Sequence, residues 1–159
     1  MIFVAVGTQL AFDRLIKYMD EWAAVNSEKV IAQIAEGTYL PKHIEYKKYF
    51  NNDEYTALVK ESSIFVSHAG MGNIFTAKDF MTPIIVVNRQ FKLNEHRNDH
   101  QADGIKWMSK LKGVYTATTK DELFNYLKHK NLEFDDSISS NKSNAISNFI
   151  KQMILEENH

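Results

Sequence analysis

One glycine-containing turn has the residue types and spacing of an anion-binding site. It follows a short apolar run, precedes a helical pattern, and consists of Ser67, His68, Ala69, Gly70, Met71, Gly72 and Asn73. Gly70 and Gly72 are two of the six glycines in the chain, and a glycine lets backbone approach a ligand closely because it has no Cβ. The first N–H groups of the next helix, with the positive end of its dipole, favour a phosphate. A strand-to-helix turn that uses glycine for geometry alone is the alternative.

A second loop, which begins with Gly7 and Thr8, directly follows the first apolar run. In a doubly wound sheet, ligands bind beyond the carboxyl ends of the strands, at the point where the strand order reverses. If the strand before His68 neighbours the first strand across that reversal, both loops face one crevice. Gly7 and Thr8 could instead form a plain turn, but two such loops in one chain favour a ligand site.

A third segment, from Glu95 to Gln101, consists of seven successive polar residues. Its amides, imidazoles and carboxylates suit hydrogen bonds to sugar hydroxyls. His96 and His100 have the i, i+4 spacing of two zinc ligands on a helix, but Arg97 stands where the zinc-protease motif has its glutamate. A solvated, charged helix start is the third interpretation.

The chain contains no Asp-x-Asp triplet of the kind that holds the cation in many metal-dependent nucleotide-sugar enzymes. This absence favours helix N-termini over a metal ion for neutralising a diphosphate. We therefore expect neither a metal nor another cofactor.

The elements that must position these loops alternate between strands and helices. The strand candidates are continuous apolar runs, as expected for strands buried on both faces of a parallel sheet. They are Ile2 to Val6, Val30 to Ile34, Ile64 to Val66, Ile84 to Val87 and Val114 to Ala117. Helical periodicity lies between them, at residues 12–22, 55–59, 74–81 and 105–111, and the capping-box spacing of Thr119 and Glu122 begins a further helix. The pattern predicts an α/β, Rossmann-like, doubly wound and mostly parallel sheet.

The length of 159 residues is that of one domain with a short extension. We expect the domain to cover residues 1–133. Residues 134–144 are rich in Ser, Asn and Asp and are predicted to be a linker. Residues 145–159 are predicted to form a C-terminal amphipathic helix, whose apolar stripe is Ile146, Phe149, Ile150, Met153 and Ile154.

Composition excludes several classes of protein. With 44% hydrophobic and 25% charged residues, the chain is neither disordered nor fibrous. The absence of cysteine excludes a disulfide framework and a thiolate nucleophile. A net charge of -1 argues against nucleic acid as a partner. The apolar start is short and follows no positive segment, so we expect a buried strand, not a signal peptide, in a cytoplasmic protein.

The sequence resembles the C-terminal domain of glycosyltransferase family 28. The resemblance rests on VGTQ at residues 6–9, SHAGMGN at 67–73, the run 84–87 leading to Asn88 and Arg89, and EHRNDHQ at 95–101, in that order. It covers Met1 to about Leu127. The family includes the peptidoglycan N-acetylglucosaminyltransferase MurG and the catalytic subunit of a two-chain eukaryotic enzyme that extends dolichol-linked sugar. Two of the motifs, EHRNDHQ and SHAGMG, are most similar to PssE-type subunits of exopolysaccharide and capsule synthesis.

This resemblance implies the donor-binding half of a GT-B glycosyltransferase. Gly7 and Thr8 would line the diphosphate, which the turn at 68–73 would receive, and Phe50 would lie beside uracil and contact it mainly through backbone. Asp99, His100 and Gln101 would read the donor sugar. The implied donor-binding residues are Gly7, Thr8, Phe50, His68, Ala69, Gly70, Met71, Gly72, Asn73, Thr76, Asp99, His100 and Gln101.

Two positions depart from the family pattern. Thr76 stands where many members have a glutamate that binds the ribose hydroxyls, and Asn73 replaces the common Ser or Thr. Uridine remains the expected base, whereas the identity of the sugar nucleotide does not follow.

The resemblance also implies a function. The chain is expected to be the catalytic subunit of a two-chain inverting glycosyltransferase that moves a hexose from a UDP-sugar to a lipid-linked oligosaccharide. A membrane-anchored PssD-type partner would recruit it to the inner face of the membrane and supply the catalytic base, for which His100 is the candidate within this chain. The alternatives are a nonenzymatic UDP-sugar-binding accessory or sensor subunit, and a UDP-sugar epimerase, although such epimerases carry both halves in one longer chain.

Overall fold

In the computed structural model, residues 1–7, 11–88, 110–129 and 132 are described, and they contain a six-stranded, all-parallel sheet. The strands are β1 (Ile2–Ala5), β2 (Val30–Gln33), β3 (Glu45–Lys47), β4 (Ile64–His68), β5 (Ile84–Val87) and β6 (Val114–Ala117). The helices in this part of the chain are α1 (Asp13–Ala24), α2 (Asn52–Glu61), α3 (Met71–Asp79) and α4 (Lys120–Lys128). The predicted Rossmann-like, doubly wound architecture is confirmed.

The strand order β3-β2-β1-β4-β5-β6 reverses next to β1. The chain begins at the centre of the sheet, runs outward through β2 to β3, and returns to pair β4 with the free side of β1. Ala5 is in register with Gln33 on one side and with Ser67 on the other. The strand before His68 is therefore the neighbour of the first strand, as the two-loop hypothesis requires.

Helices cover both faces of the sheet. Along β1, Ile2 and Val4 face a core that also holds the apolar residues of α1 and α4. Phe3 and Ala5 face the opposite core, which holds those of α2 and α3. All four β1 side chains are fully buried, which explains why the strand is a continuous apolar run.

Strand β3 differs from the other strands and was not among the apolar runs. Its residues Glu45, Tyr46 and Lys47 are all exposed and it forms one edge of the sheet. Charged residues on an exposed edge discourage pairing with another chain. The strand exists because its backbone pairs with β2, and not because it buries side chains.

Two helical predictions need correction at their ends. Helix α3 ends at Asp79, so Met81 lies beyond it, 46% exposed and with a positive φ of 54°. Leu111 is buried but lies outside the described helices, while the residues at 105–109 lie outside the described part of the chain. The linker at 134–144 and the helix at 145–159 also lie outside it and stay predictions. The described residues contain no helix that is long and apolar enough to cross a membrane.

The capping box at the start of α4 is confirmed with one change. Thr119 Oγ1 accepts a hydrogen bond from the Glu122 N–H at 3.2 Å. Glu122 Oε2 in turn accepts from the N–H of Thr118, at 2.8 Å, and not from that of Thr119. Both bonds satisfy backbone groups around the first turn.

A buried carboxylate on α1 anchors the connection between β2 and β3. Asp20 is 3% exposed, and its oxygens accept hydrogen bonds from the Tyr39 hydroxyl at 2.6 Å and the N–H groups of Lys42 and His43 at 3.1 and 2.7 Å. Burial acts to raise the pKa of Asp20, but these hydrogen bonds, with the nearby His43, lower it below its ordinary value.

We predict that Asp20→Asn lowers the free energy of unfolding by about 2–3 kcal/mol at pH 7, because an amide cannot accept all the hydrogen bonds of the carboxylate. Since the folded pKa of Asp20 is lowered, its contribution is present above about pH 4 and is lost as the pH falls through the folded value. Urea unfolding at several pH values should show the gap between variant and wild type narrowing below about pH 4. Glu61→Gln, which changes an exposed carboxylate at the end of α2, should change stability by less than about 0.5 kcal/mol. An equal loss at every pH would contradict the role of the Asp20 charge.

Candidate functional site

The carboxyl ends of β1 and β4 lie side by side at the reversal of strand order. Gly7 and Ala69 each lie two residues beyond the paired positions Ala5 and Ser67. This is where ligands bind in doubly wound sheets. The structure thus brings Gly7 next to the glycine-containing turn, whereas Thr8 lies outside the described residues.

The turn leaves three backbone donors available at the start of α3. Gly70, the residue before the helix, has an extended backbone (φ −122°, ψ 134°), and its N–H donates to the His68 carbonyl at 2.8 Å. The first helical bond joins the Ile74 N–H to the Gly70 carbonyl at 3.3 Å. Between them, the N–H groups of Met71, Gly72 and Asn73 make no hydrogen bond within the described part of the chain.

The start of α3 differs from the starts of the neighbouring helices. A side chain caps α2 and α4, from Asn51 and Thr119 respectively, and each of these helices carries two acidic residues in its first turn. Helix α3 has neither feature. Unpaired donors and the positive end of the dipole therefore combine with a first turn that carries no acidic residue, which is the arrangement that favours a bound anion.

The two glycines of the turn have different roles. A Cβ at Gly70 would lie 2.6 Å from His68 Nε2, so a larger residue there would displace the imidazole of the same turn. A Cβ at Gly72 would meet nothing within 4 Å among the described residues. Gly72 therefore borders open space, and a ligand can approach its backbone.

Asn73 directs its side chain into the protein. Its Nδ2 donates to Ser67 Oγ at 2.6 Å, and its Oδ1 accepts from the Tyr55 hydroxyl at 2.6 Å. The backbone N–H of Asn73 has no partner among the described residues and is available to a ligand. The sequence pattern identified Asn73 but not Tyr55, which lies 18 residues away in α2.

Phe50 lies on the same side of the sheet as the turn, just before α2. Its ring packs edge-on against Phe3 with the ring centres 5.9 Å apart, and Phe3 also contacts Tyr55. The Phe50 N–H donates to Oε1 of the buried Gln33 at 2.9 Å. Since this N–H is used inside the protein, a backbone contact from Phe50 to a base would come from its carbonyl. Gln33 was missed, although a polar residue in the run VIAQI was a signal for it.

Thr76 lies one helical turn beyond Gly72 and is partly buried. Its hydroxyl donates to the Gly72 carbonyl at 3.0 Å, within the same helix. Its assignment to the ribose stays a prediction.

A second polar cluster lies at the carboxyl ends of β5 and β6. Arg14 Nη2 donates to the Asn88 carbonyl at 2.5 Å, and Nη1 donates to that of Thr118 at 3.5 Å. Sequence reasoning missed Arg14. A cation in the first turn of a helix is unfavourable because it lies at the positive end of the dipole, and this was a signal that the residue has another role. Asn88 is 9% exposed, and its Oδ1 is buried without a partner among the described residues.

The predicted sugar-reading residues follow this cluster in sequence. Asp99, His100 and Gln101 lie outside the described residues, as does His96, so their assignments stay predictions. In residues 1–7, 11–88 and 110–129, no group of three or more carboxylate or imidazole side chains could hold a metal ion. The expectation of a metal-free site also stays a prediction.

Comparison with known proteins identifies the kind of domain. A sequence model of the glycosyltransferase family 28 C-terminal domain matches residues 1–155. No curated protein sequence gives a match.

Several solved structures share the fold at low identity. The glycosyltransferase of kitacinnamycin has a TM-score of 0.61 and 18% identity over 81% of this chain, and ALG13 has 0.60 and 16% over 89%. The spinosyn forosaminyltransferase SpnP has 0.56 and 15% over 80%. This chain spans about a third of the kitacinnamycin enzyme and of SpnP, 34% in each case, but 91% of ALG13.

We predict that Gly72→Ala weakens the binding of UDP by about 10- to 100-fold, because the methyl group blocks access to N–H groups that would bond a charged diphosphate. The fold should tolerate the change, since the space is open and alanine favours a helix by up to about 1 kcal/mol over glycine. Calorimetric titration gives the affinity and thermal unfolding gives the stability. Asp79→Ala, at the far end of the same helix, is the matched control and should leave UDP affinity unchanged. An affinity of Gly72→Ala within about twofold of wild type, well short of one charged hydrogen bond, would remove the diphosphate from this turn.

Proposed function

The chain belongs to the glycosyltransferase family 28 C-terminal domain family, and we propose that it is the donor-binding, catalytic subunit of a two-chain inverting glycosyltransferase. It transfers a hexose from a UDP-sugar to a lipid-linked oligosaccharide in exopolysaccharide or capsule synthesis. The observation that carries the proposal is the set of three available N–H groups, from Met71, Gly72 and Asn73, at the reversal of strand order.

These N–H groups suit the charge that develops during transfer. As the acceptor oxygen attacks the anomeric carbon, the bond from that carbon to the β-phosphate oxygen breaks and UDP leaves with an added negative charge. Donors that already point at this oxygen, together with the helix dipole, stabilise the charge without reorganising. The reaction needs no metal ion in this proposal, because the backbone takes the part of the cation.

The rest of the donor extends to either side of the diphosphate. Gly7 and Thr8 line the diphosphate from the end of β1. The uracil lies towards Phe50, and Thr76 stands nearest the ribose. Asp99, His100 and Gln101 follow the end of β5 in sequence and bind the hexose through its hydroxyls.

The acceptor side belongs to a second polypeptide. A GT-B enzyme closes a donor half and an acceptor half around the reaction. This chain matches about a third of each of two glycosyltransferase structures and most of ALG13, which supports the proposal that it forms one of the two halves. We propose that the partner is a membrane-anchored PssD-type chain that holds the lipid-linked acceptor and supplies the base. His100 is the candidate base within this chain. The complex works at the cytoplasmic face of the membrane.

Transfer of radiolabelled sugar from UDP-sugars to lipid-linked acceptor in membranes tests this function. Transfer is expected when this chain is co-expressed with the partner, is expected to survive a chelator, and is expected to be nearly absent for the purified chain alone. Robust transfer by the single chain would contradict the two-chain proposal, and dependence on a divalent cation would contradict the role given to α3. Tight binding of UDP-sugar with no transfer in the presence of the partner would identify a nonenzymatic accessory subunit instead.

We predict that Gln101→Ala weakens the binding of the UDP-sugar by about 3- to 10-fold, the value of one hydrogen bond, and leaves the binding of UDP unchanged. An amide at this position bonds hydroxyls that UDP lacks. Calorimetric titration of the same variant with both ligands makes UDP the internal control. Equal weakening of both ligands would assign the segment to the nucleotide or to the fold.

A further inference from the structure

We propose that Tyr55, Asn73 and Ser67 form a directed chain of hydrogen bonds that positions the first turn of α3, and that Tyr55 is a positioning residue for the donor. The inference rests on the proposed function for the identity of the ligand. It deepens that function because it names the side chains that fix the orientation of the anion-binding N–H groups.

Each bond in the chain has a defined donor. The Tyr55 hydroxyl donates to Asn73 Oδ1 at 2.6 Å, and Asn73 Nδ2 donates to Ser67 Oγ at 2.6 Å. The Ser67 hydroxyl then donates to the His68 carbonyl at 2.7 Å. Since the carbonyl also accepts from the Gly70 N–H at 2.8 Å, the chain ends on the bond that shapes the turn.

The tyrosine at the start of this hydrogen-bond chain is packed among aromatic rings. The Tyr55 ring meets Phe3 and Phe65 edge-on, with ring centres 5.2 and 6.2 Å apart. Ser67 is fully buried at the other end. Burial raises the pKa of the Tyr55 hydroxyl well above its ordinary value, so the group remains a donor at every physiological pH. The hydrogen bonds are part-buried, and partial shielding from water strengthens them relative to exposed ones.

These bonds join three elements at one point. Tyr55 belongs to α2, Asn73 to α3 and Ser67 to β4. The angle at which α3 leaves the sheet is therefore held by side chains as well as by the glycine-containing turn. Asn73 contributes in two ways, because its side chain completes the chain while its N–H is one of the three donors available to the diphosphate.

The arrangement gives a reason for asparagine at position 73. A serine at this position would place its hydroxyl one bond closer to the backbone than the amide of asparagine, and would offer one polar atom where the amide offers two. The amide of Asn73 presents an acceptor to Tyr55 and a donor to Ser67 on two separate atoms. Asn73 and Tyr55 are thus complementary, because the amide oxygen of Asn73 accepts the hydrogen that the Tyr55 hydroxyl donates.

The test compares Tyr55→Phe with Tyr39→Phe in the protein without ligand. Both variants lose a tyrosine hydroxyl that donates at 2.6 Å, in one case to Asn73 and in the other to Asp20. Amide hydrogen exchange followed by NMR should show the hydrogen-bonded N–H groups of Gly70 and Ile74 exchanging at least about fivefold faster in Tyr55→Phe, as expected for a locally loosened turn. Tyr39→Phe should leave these amides unchanged. Equal exchange of the Gly70 and Ile74 amides in Tyr55→Phe and wild type would overturn the positioning role.

Ligand affinity provides the second readout. Tyr55→Phe should bind UDP about 3- to 10-fold more weakly, whereas Tyr39→Phe should lose stability and keep its affinity. Ser67→Ala should have a similar effect, and the double variant should lose less affinity than the sum of the two, because both act on one chain. Additive losses of affinity would overturn the proposal that these residues act through one chain of hydrogen bonds. If wild type binds no UDP, the proposed function fails, while the exchange experiment still decides on the positioning role.

Discussion

The pairing of β4 with β1 is the constraint on which the rest of the structure depends. Strand β2 already occupies one side of β1, so β4 joins the other side, and the strand order reverses there. Right-handed crossovers then place α1 and α2 on opposite faces of the sheet. The same pairing sets the end of β1 beside the turn after β4, in the register of Ala5 with Ser67. An anion site at this point needs no special loop to bring its two sides together.

The sequence predicted those strands whose side chains are buried. Strand β5 is four fully buried aliphatic residues, and a run of this kind in an α/β pattern has few other structures available. Strand β3 left no such signal because its side chains are exposed. The end of α3 could not be read either, since apolar periodicity continues to Met81. The helix ends where the Thr82 N–H bonds the Ala77 carbonyl and Met81 takes the left-handed conformation that glycine usually takes.

The residues of the candidate site also fall into those that the sequence predicted and those that it did not. The spacing of Gly70 and Gly72 after an apolar run was a local signal, and it predicted where an anion would approach. The groups that support this turn are not local. Tyr55 reaches Asn73 across 18 positions, and Arg14 reaches the Asn88 carbonyl across 74. Such contacts follow from the packing of whole elements, so that a single sequence offers no spacing by which to find them.

The start of α3 also shows how stability and binding oppose each other. A capping side chain at a helix start typically contributes about 1 kcal/mol, and acidic residues in the first turn add a few tenths more. Either feature would bond or neutralise the donors that an anion needs. Helix α3 has neither feature. Its first turn is held instead by contacts with the protein interior, through the hydrogen bond of Asn73 to Ser67 and the buried side chain of Ile74. Support from within the core leaves the outward N–H groups unpaired, which is the condition for a backbone site that binds a diphosphate without a cation.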